Sequence, residues 1–468
     1  MAVVPLPGSQ LTAAIGRPEA IEGTIPAAVR SLLESLWSNG QAAYVVGGSL
    51  RDVVLGRLPA DWDLASDALP ERVVELFPGA VYENTFGTVA IRRDGEVFEV
   101  TTFRTDHDYA DFRRPHRVEF GDTIELDLAR RDFTVNAMAW GARPGQTAVF
   151  LDPYAGLADL DARVLRAVGD PRARFEEDAL RMVRAVRLAA TLEFGIEAAT
   201  LAGIQARAEL VGHLSGERIA AELDKLLTAR VPSAGLRLLS DTGLLASISP
   251  DLAAQRGVPQ NKIEGEDLWD HTLRAVDAVA ADRSVVRLAA LLHDIGKPAT
   301  FADGHFVRHD AVGAELAAAF LDRLHEPHAL RDRVVELVRH HMFSYEPNWS
   351  DAAVRRFIAK MNVIGPGALE QLLELREADN VGSGLPAGAG RLDELRSRVA
   401  AELAAGVALD RRRLAVDGGD LITELGLSEG PLLGRLLDGL LEAVIVDPSL
   451  NRRPTLLALA RTMVVDER

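Results

Sequence analysis

The chain of 468 residues contains no cysteine, and its acidic residues outnumber its basic ones. The lack of cysteine excludes a disulfide framework, a thiol nucleophile and a cysteine-based zinc site. The sequence has no run of about 18 apolar residues, and residues 1–20 lack a basic segment followed by an apolar core. We therefore expect a cytoplasmic protein that has no membrane partner.

The charge balance restricts how the chain can bind nucleic acid. Its 52 Lys and Arg against 69 Asp and Glu give a formal net charge of −17, whereas sequence-independent coating of nucleic acid depends on a basic surface. A local basic track is still compatible with this composition. The segment 161–187 is one, because it contains seven arginines and five acidic residues. We expect it to contact nucleic-acid phosphates.

The order of patterns along the chain predicts an α+β protein of two to four domains. Residues 21 to about 150 mix helical patterns with short apolar runs typical of strands, whereas after about residue 160 apolar residues recur at helical spacing and the strand signal vanishes. The predicted strands are 43–46, 61–64, 88–92, 97–102 and 118–120. The predicted domains are a mixed-sheet head (21–150), a helical neck and body (151–260), a further helical domain (261–390) and a helical tail (391–468).

The double glycine Gly47–Gly48 begins the most informative segment. An apolar strand precedes it, and a short helix containing Arg51 and a second strand carrying Asp61 and Asp63 follow. Glycines let backbone N–H groups approach a phosphate, and a helix start offers unpaired donors. Residues two apart on a strand share a face, so the two carboxylates would bind magnesium beside a triphosphate. The alternative is a glycine turn followed by two solvated aspartates.

The predicted strand 97–102 carries Glu99, which would supply a third carboxylate near the first two. A glutamate at a sheet edge is the alternative explanation. The polar stretch 106–117 follows that strand. Because it is too charged to pack in a core, we expect it to be a mobile or solvated loop.

The run RRDFTVNAMA (130–139) supplies further polar side chains. On a helix, Asp132 and Asn136 would share one face, with Arg131 adjacent to them. Asparagine can bind a sugar hydroxyl or a phosphate, and arginine binds phosphates through its forked N–H groups. The alternative is that Asp132 and Asn136 form an ordinary helix cap.

A single helix over 174–187 is predicted to select the base of a nucleotide. Glu177 and Asp178 lie four and three residues before Arg181, so all three can address one spot; Arg184 follows on the same helix. A carboxylate acceptor beside a guanidinium donor complements the amine and ring nitrogen of cytosine or adenine, whereas uracil and guanine present a carbonyl and an N–H. Each buried polar group left unpaired costs about 1–3 kcal/mol, which favours C and A. A surface ladder of ion pairs is the alternative.

The second half of the chain carries a histidine and aspartate pattern that resembles the signature of HD metal-dependent phosphohydrolases. Such a pattern supplies mixed nitrogen and oxygen ligands for a divalent metal. A structural role, or a remnant that only holds RNA, is the alternative. The candidate ligands are His271, His293, Asp294 and Asp379, with His309, His340 and His341 for a second position.

Five runs together resemble the class II tRNA nucleotidyltransferases, the bacterial CCA-adding enzyme and poly(A) polymerase family. They occur in the order of that family over residues 40 to about 230, and they are GGSLRD…GRLPADWD, RRDFTVNAMA, DPYAGLADL, EEDALRMVRAVRLAA and LSGERIAAELDKLL. The resemblance implies a DNA polymerase beta-like nucleotidyltransferase head. It also implies that Asp61 and Asp63 bind metal, that Arg131, Asp132 and Asn136 hold the incoming nucleotide, and that the loop around 108–117 is flexible.

The resemblance further implies that Glu177, Asp178 and Arg181 read CTP and ATP. The predicted function is template-independent repair of the 3′-terminal CCA of tRNA by nucleotidyl transfer with two Mg²⁺ ions, and the segment 84–92 favours CCA addition over poly(A) synthesis. A poly(A) polymerase, an enzyme that adds only CC or only A, and an HD phosphohydrolase acting on RNA-end or nucleotide phosphates are the alternatives. The glycine-proline step at 430–431 is a candidate tRNA contact, and the sequence leaves the oligomeric state open.

Overall fold

The computed structural model describes residues 21–82, 87–109, 115–121, 123–260 and 262–466. The chain forms two compact units, Met1–Ala253 and Ala254–Arg468, called here the first and the second unit. The finer division into four domains stays a prediction. In the described ranges, the longest and most apolar helices fall short of what a membrane crossing requires.

The first unit contains a mixed sheet whose described strands are arranged in the order β3-β4-β5-β2-β1-β8-β9. β2 and β5 are parallel, and the other neighbouring pairs are antiparallel. A separate hairpin pairs β6 with β7. The strands are β1 (Ala43–Val46), β2 (Asp63–Ser66), β3 (Val81–Tyr82), β4 (Thr88–Arg93), β5 (Glu96–Thr102), β6 (Arg104–Tyr109), β7 (Pro115–Phe120), β8 (Ala139–Ala142), β9 (Val149–Leu151), and the short pair β10 (Val164–Leu165) and β11 (Gly195–Ile196).

The helices of the first unit connect these strands and then continue as a helical region. They are α1 (Ile21–Thr24), α2 (Ala27–Ser38), α3 (Gly48–Val54), α4 (Pro70–Leu76), α5 (Ile124–Ala129), α6 (Gly156–Ala162), α7 (Pro171–Glu177), α8 (Leu180–Leu192), α9 (Ala198–Gln205), α10 (Gly216–Leu227), α11 (Pro232–Asp241), α12 (Leu244–Ile248) and α13 (Pro250–Ala253).

The core of the first unit follows from the apolar spacing of its elements. All four residues of β1 are buried, as expected for a central strand covered on both faces. Along α8, the buried residues Met182, Val183, Val186 and Ala189 recur at the helical period. This apolar stripe packs α8 against α10 and α11, so that the polar residues of α8 are held in fixed positions.

The second unit is built mainly from helices. Helix α14 packs against α15 and α20, and α18 packs against α15 and α17. The helices are α14 (Leu268–Ala278), α15 (Ser284–Leu292), α16 (Lys297–Thr300), α17 (His309–Arg323), α18 (His328–His340), α19 (Asp351–Ile364), α20 (Ala368–Gly382), α21 (Leu392–Ala404), α22 (Gly418–Leu425), α23 (Pro431–Val446) and α24 (Arg453–Asp466), and the short strands are β12 (Phe301–Ala302) and β13 (His305–Phe306).

A mixed sheet followed by helices confirms the predicted α+β class, but two predicted details are wrong. The stretch 106–117, expected to be a loop, belongs largely to the hairpin of β6 and β7, and residues 110–114 lie outside the described residues. Hydrogen bonds of a hairpin join backbone groups, so a charged sequence does not prevent them. The strand carrying the aspartates begins at Asp63, so Asp61 precedes it.

The predicted helix 174–187 is also wrong, because the chain leaves the helical conformation at Asp178. Its φ of −147° and ψ of 105° separate α7 from α8. The Asp178 carboxylate accepts a hydrogen bond from the backbone N–H of Leu180 at 3.1 Å, which occupies a donor at the start of α8. Asp132 and Asn136 do not share a helix either, since only a 3₁₀ turn over Thr134–Asn136 forms there.

Candidate functional site

The glycine turn between β1 and α3 forms one wall of the candidate site. Gly47 has a φ of +79°, a conformation that favours glycine, and it directly precedes α3, whose first residue is Gly48. A Cβ atom at Gly47 would lie 2.9 Å from Nη1 of Arg131 and 3.7 Å from Oδ2 of Asp63. The turn, a guanidinium and a carboxylate therefore meet at one place.

The carboxylates lie where β2 begins. Asp61 is exposed and Asp63 is partly buried. Burial raises the pKa of Asp63, and the negative charge of Asp61 raises it further, against the opposing effect of Arg131. A cation between the two carboxylates would offset the repulsion that Asp61 exerts on Asp63, and carboxylate oxygens suit a hard divalent ion. The donor set therefore fits the predicted metal.

Glu99 lies beside Asp63 across the parallel pair of β2 and β5. Residues in register on neighbouring strands project to the same face of a sheet, so Glu99 projects to the Asp63 face, and its side chain is exposed. Within the described residues, the carboxylates of Asp61, Asp63 and Glu99 are not among the sets of three ligands whose donor atoms all lie within 4.8 Å of one another. The role of Glu99 as a third metal ligand therefore stays a prediction.

A polar network centred on the buried residues Asp132 and Asn136 joins four of the predicted nucleotide-binding residues. Nη1 of Arg51 donates to Oδ1 of Asn136 at 2.8 Å, and Nδ2 of Asn136 donates to Oδ1 of Asp132 at 3.1 Å. Nε of Arg184 lies 2.9 Å from Oδ2 of Asp132. Burial alone would raise the pKa of Asp132, but the charge of Arg184 and the hydrogen bond from Asn136 outweigh burial and lower it. The side chains meet although no helix connects them.

Asp127 is a functional candidate that sequence reasoning missed. It is fully buried, and its carboxylate accepts hydrogen bonds from Arg130 and from Nη2 of Arg131 at 3.0 Å. The pair therefore holds Arg131 toward the glycine turn. The signal available in the sequence was the spacing of four residues between Asp127 and Arg131, which brings side chains together on a helix.

The three residues predicted to select a base are divided between two helices. Nη1 of Arg181 donates to Oε2 of Glu177 at 2.6 Å, and Nη2 of Arg181 donates to the backbone oxygen of Arg130 at 2.9 Å. Asp178 is not on the same helix as Arg181, and Arg218 of α10 binds its carboxylate at 2.7 Å. Arg218 was missed by sequence reasoning, although the run LSGERIAAELDKLL contains it.

A second candidate site lies inside the second unit. Nε2 of His271 is 3.0 Å from Nε2 of His293, 3.2 Å from Oδ2 of Asp294 and 3.4 Å from Oδ1 of Asp379. Nε2 of His309 and of His341 lie 3.5 and 3.7 Å from Oδ1 of Asp294. In the described residues, two sets thus bring their ligand atoms together: His271, His293 and Asp379, and Asp294, His309 and His341.

The hydrogen bonds of this cluster fix which histidine nitrogen faces its centre. The Nδ1 atoms of His293, His309 and His341 lie 2.6–2.8 Å from backbone oxygens, and a carbonyl accepts only from a protonated nitrogen. The Nε2 lone pairs are therefore directed inward. Within the described residues, Nε2 of His309, Nε2 of His341 and Oδ1 of Asp294 are buried without a hydrogen-bond partner. Buried acceptors of this kind suit a metal.

Three cationic side chains surround the cluster. Nζ of Lys297 is 2.7 Å from Oδ2 of Asp294, and Arg376 and Lys262 lie 2.9 and 3.9 Å from oxygens of Asp379. Burial alone would raise the pKa of Asp294, but His293 and Lys297 outweigh burial and hold it well below the usual range. The cations suit an anionic substrate such as a phosphate.

His340, predicted to contribute to a second metal position, is outside both ligand sets. Its Nε2 lies 3.4 Å from Oε2 of Glu336, which is one turn earlier on α18. Because adjacent residues of a helix project in different directions, His341 reaches the cluster and His340 does not. The prediction of His340 as a ligand is therefore wrong.

Comparison with known protein families divides the chain into three matched segments. Residues 43–166 match the family described as "Poly A polymerase head domain". Residues 193–256 match "Probable RNA and SrmB- binding site of polymerase A", and residues 265–380 match "HD domain". The first match contains the glycine turn and the aspartates, and the third contains the histidine cluster.

Individual relatives resemble the chain over different lengths. A CCA-adding enzyme of Lactiplantibacillus plantarum is 32% identical over 443 residues, which are 94% of this chain and 97% of that protein. A CCA-adding enzyme of Geobacillus kaustophilus is 44% identical over 225 residues, or 48% of this chain, and the alignment covers about half (54%) of the relative's length. The crystal structure of a Bacillus stearothermophilus CCA-adding enzyme in complex with CTP has a TM-score of 0.70 and 29% identity, covering 97% of this chain and 99% of that one.

Proposed function

Because the chain belongs to the family of CCA-adding enzymes, we propose that it adds the 3′-terminal CCA to tRNA from CTP and ATP in the cytoplasm. One observation carries the proposal. A Cβ atom at Gly47 would lie within 3.7 Å of both Nη1 of Arg131 and Oδ2 of Asp63, so the turn, the guanidinium and the carboxylate share one small space. A triphosphate beside this point would face backbone N–H groups, a guanidinium and a cation-binding carboxylate, which are the groups that nucleotidyl transfer requires.

Asp61 and Asp63 would hold magnesium at this site, with Glu99 as a third carboxylate. Two bound ions would supply activation of the tRNA 3′-hydroxyl and stabilisation of the leaving pyrophosphate. Arg131, kept in place by Asp127, would bind phosphate oxygens. The Asn136 amide, which already contacts Arg51 and Asp132, would bind the sugar.

The residues at the break between α7 and α8 would select the base. Glu177 orients the Arg181 guanidinium as a donor, and Asp178 supplies an acceptor. Cytosine and adenine offer an amine to the acceptor and a ring nitrogen to the donor, whereas uracil and guanine leave both buried groups unpaired. The pair therefore serves as the template for CTP and ATP.

The test incubates the purified protein with Mg²⁺ and tRNA transcripts that lack CCA, end in C or end in CC. Each transcript receives CTP, ATP or both, and the products are sized on a sequencing gel. Growth to CCA and a halt there is the expected result. Long A tails would instead identify a poly(A) polymerase, and growth by CC or by A alone would identify a partial enzyme.

The assignment of the third carboxylate has a matched control on the same strand. Glu99 and Glu96 both belong to β5 and are exposed, but their positions differ by an odd number of residues, so they project to opposite faces. Glu99→Gln should slow nucleotide incorporation by about 10-fold or more if Glu99 binds the metal, and Glu96→Gln should not. Equal rates for the two variants would remove Glu99 from the site.

The histidine cluster favours a second function, hydrolysis of a phosphate ester. Its Nε2 atoms and carboxylates would hold divalent metal, with His271, His293 and Asp379 at one position and Asp294, His309 and His341 at the other. A bound metal would activate water for attack on phosphorus. Lys297, Lys262 and Arg376 would bind the phosphate. The expected result is ring opening of a 2′,3′-cyclic phosphate to a phosphomonoester, or release of phosphate from a 2′-phosphate, at RNA ends, with loss of that activity and of bound metal in His293→Ala. Purified protein that contains no metal and hydrolyses none of these RNA ends would contradict this second function.

A further inference from the structure

Asp178 is held by two partners that belong to different helices. Its Oδ1 accepts from the backbone N–H of Leu180 at 3.1 Å, and its Oδ2 accepts from Nη2 of Arg218 at 2.7 Å. The Asp178 and Arg218 side chains are 21% and 26% exposed, so the pair is largely removed from water. The bond to Arg218 is therefore stronger than a pair on the open surface.

Arg181, the donor of the proposed base-reading pair, has separate supports. It donates to Glu177, to the backbone oxygen of Arg174 at 3.1 Å and to that of Arg130 at 2.9 Å. The acceptor and the donor are thus fixed independently. A change at Arg218 would release the acceptor and leave the donor in place.

Resting on the proposed function, we propose that Arg218 is a positioning residue that sets the nucleotide selectivity of the site. The guanidinium fixes the rotation of the Asp178 carboxylate, so that the remaining lone pairs accept an exocyclic amine and repel a carbonyl oxygen. Without Arg218, one backbone N–H alone orients the carboxylate. Rotation of the carboxylate would then weaken the discrimination of cytosine from uracil.

A second observation indicates that Arg218 is built for an occupied site. Within the described residues, its Nη1 atom is buried and has no hydrogen-bond partner. A buried N–H without a partner costs free energy, and a bound nucleotide or its water would supply the missing acceptor. Asp178 therefore accepts from Nη2 of Arg218, whereas Nη1 is left for a ligand.

The same pair of helices offers a matched control. Arg187 of α8 binds Glu222 of α10, with 2.7 Å between Nε and Oε2 and with both side chains at most 14% exposed. This ion pair also joins α8 to α10, but it involves none of the proposed base-reading residues. Arg187→Ala therefore reproduces the loss of an interhelical ion pair without releasing Asp178.

The experiment measures kcat/KM for CTP and for UTP with a tRNA transcript that lacks CCA. In Arg218→Ala, the ratio of kcat/KM for CTP to kcat/KM for UTP should fall about 10-fold or more relative to the wild type. Arg218→Lys should restore part of that loss. In Arg187→Ala, the ratio should stay within about two-fold, since every one of the base-reading contacts is kept. An unchanged ratio in Arg218→Ala, or an equal fall in Arg187→Ala, would overturn the proposal.

Failure of the proposed function would give a different result. A wild-type protein that incorporates neither nucleotide would refute CCA addition before any variant is compared. If Arg218→Ala does not fold, Arg218→Met, which keeps a long unbranched side chain but no N–H donor, replaces it under the same criteria. Equilibrium binding of CTP and UTP without tRNA supplies a second readout, in which Arg218→Ala should lose the preference for CTP.

Discussion

At the scale of single residues, the candidate site depends on the absence of a side chain at Gly47. Gly47→Ala would place a methyl group 2.9 Å from Nη1 of Arg131, displacing the guanidinium and crowding Asp63. We expect nucleotide incorporation to fall about 100-fold, because a small misplacement of a binding group has effects of this size. The measurement is the rate of CTP incorporation into tRNA that lacks CCA.

Gly40→Ala is the control for backbone strain. Gly40 has nearly the same φ, +80°, and a Cβ there would meet no atom within 4 Å. Both variants should lose about 1–3 kcal/mol of stability, because a residue with a Cβ atom adopts a positive φ at a cost. Equal loss of incorporation in the two variants would show that strain, rather than intrusion into the site, is responsible.

Asp127 makes the stability of the head depend on pH. Burial raises its pKa, but Arg130 and Arg131 outweigh burial and lower it below the usual value. A lowered pKa stabilises the fold above the unfolded-state value of about 3.9, and that stabilisation is lost as pH falls through the folded-state pKa. Asp127→Asn should therefore destabilise the protein by about 3 kcal/mol at pH 7, and the difference from wild type should narrow below about pH 4.

Urea midpoints of wild type and variant between pH 3 and 8 measure this dependence. Glu125→Gln is the control, because Glu125 lies on the same helix, and its pair with Arg143 at 3.4 Å is half exposed on both sides. An exposed pair contributes less than about 1 kcal/mol. A gap between wild type and Asp127→Asn that stays constant down to pH 3 would refute the role assigned to Asp127.

The residues of the candidate nucleotide site could be proposed from the sequence because their chemistry is local. The glycines, the aspartates around residue 62 and the Arg-Asp-Asn run are short patterns, and the predicted family is confirmed by the relative that matches 94% of the chain. Arg218 and Asp127 were not predicted, because their importance arises from contacts. Arg218 lies 40 residues from Asp178, and only packing of α8 on α10 brings the two together.

At the scale of elements, the sequence predicted the existence of helices and strands better than their ends. The helical periodicity of 174–187 is real on both sides of Asp178, but a carboxylate that bonds to the backbone two residues later competes with a continuous helix. The strand β8 was missed because Ala139–Ala142 contains no β-branched residue. Its place beside β1 is decided by tertiary packing.

The close approach of two elements holds His309 in the histidine cluster. A Cβ at Gly296, which precedes α16, would lie 2.3 Å from the backbone oxygen of His309 and 2.5 Å from the backbone nitrogen of Gly313. Gly296→Ala must push α17 away, so it should destabilise the protein by about 1–3 kcal/mol. It should also lower the metal content of the purified protein, which elemental analysis measures.

Gly313→Ala tests the same contact from the other side. A Cβ at Gly313 would meet its nearest atom at 3.4 Å, the backbone nitrogen of Gly296, and Val338 at 3.5 Å. These are ordinary contacts, and alanine is favoured over glycine in a helix. Gly313→Ala should keep its metal, and equal loss of metal in both variants would contradict the specific role of Gly296.

At the scale of the whole molecule, the two candidate sites belong to different compact units. The glycine turn and the aspartates lie in the first unit, and the histidine cluster lies in the second. Each site takes its ligands from its own unit and has its own core around it. With a net charge of −17, the proposed RNA binding would depend on local arginines, and composition alone could not have located them.

This separation predicts two activities that can be removed one at a time in the full chain. Asp63→Ala should lower CCA addition at least about 100-fold, because it removes a cation-binding carboxylate, and it should leave phosphate release from RNA ends within about two-fold of wild type. His293→Ala should have the opposite effect, since the contacts of His293 with His271, Asp294, Asp379 and the backbone of Ala290 all lie in the second unit. Both activities are measured on one preparation of each variant. Loss of both activities in either folded variant would mean that the chemistry of the two sites is linked, and the assignment of one activity to each unit would then fail.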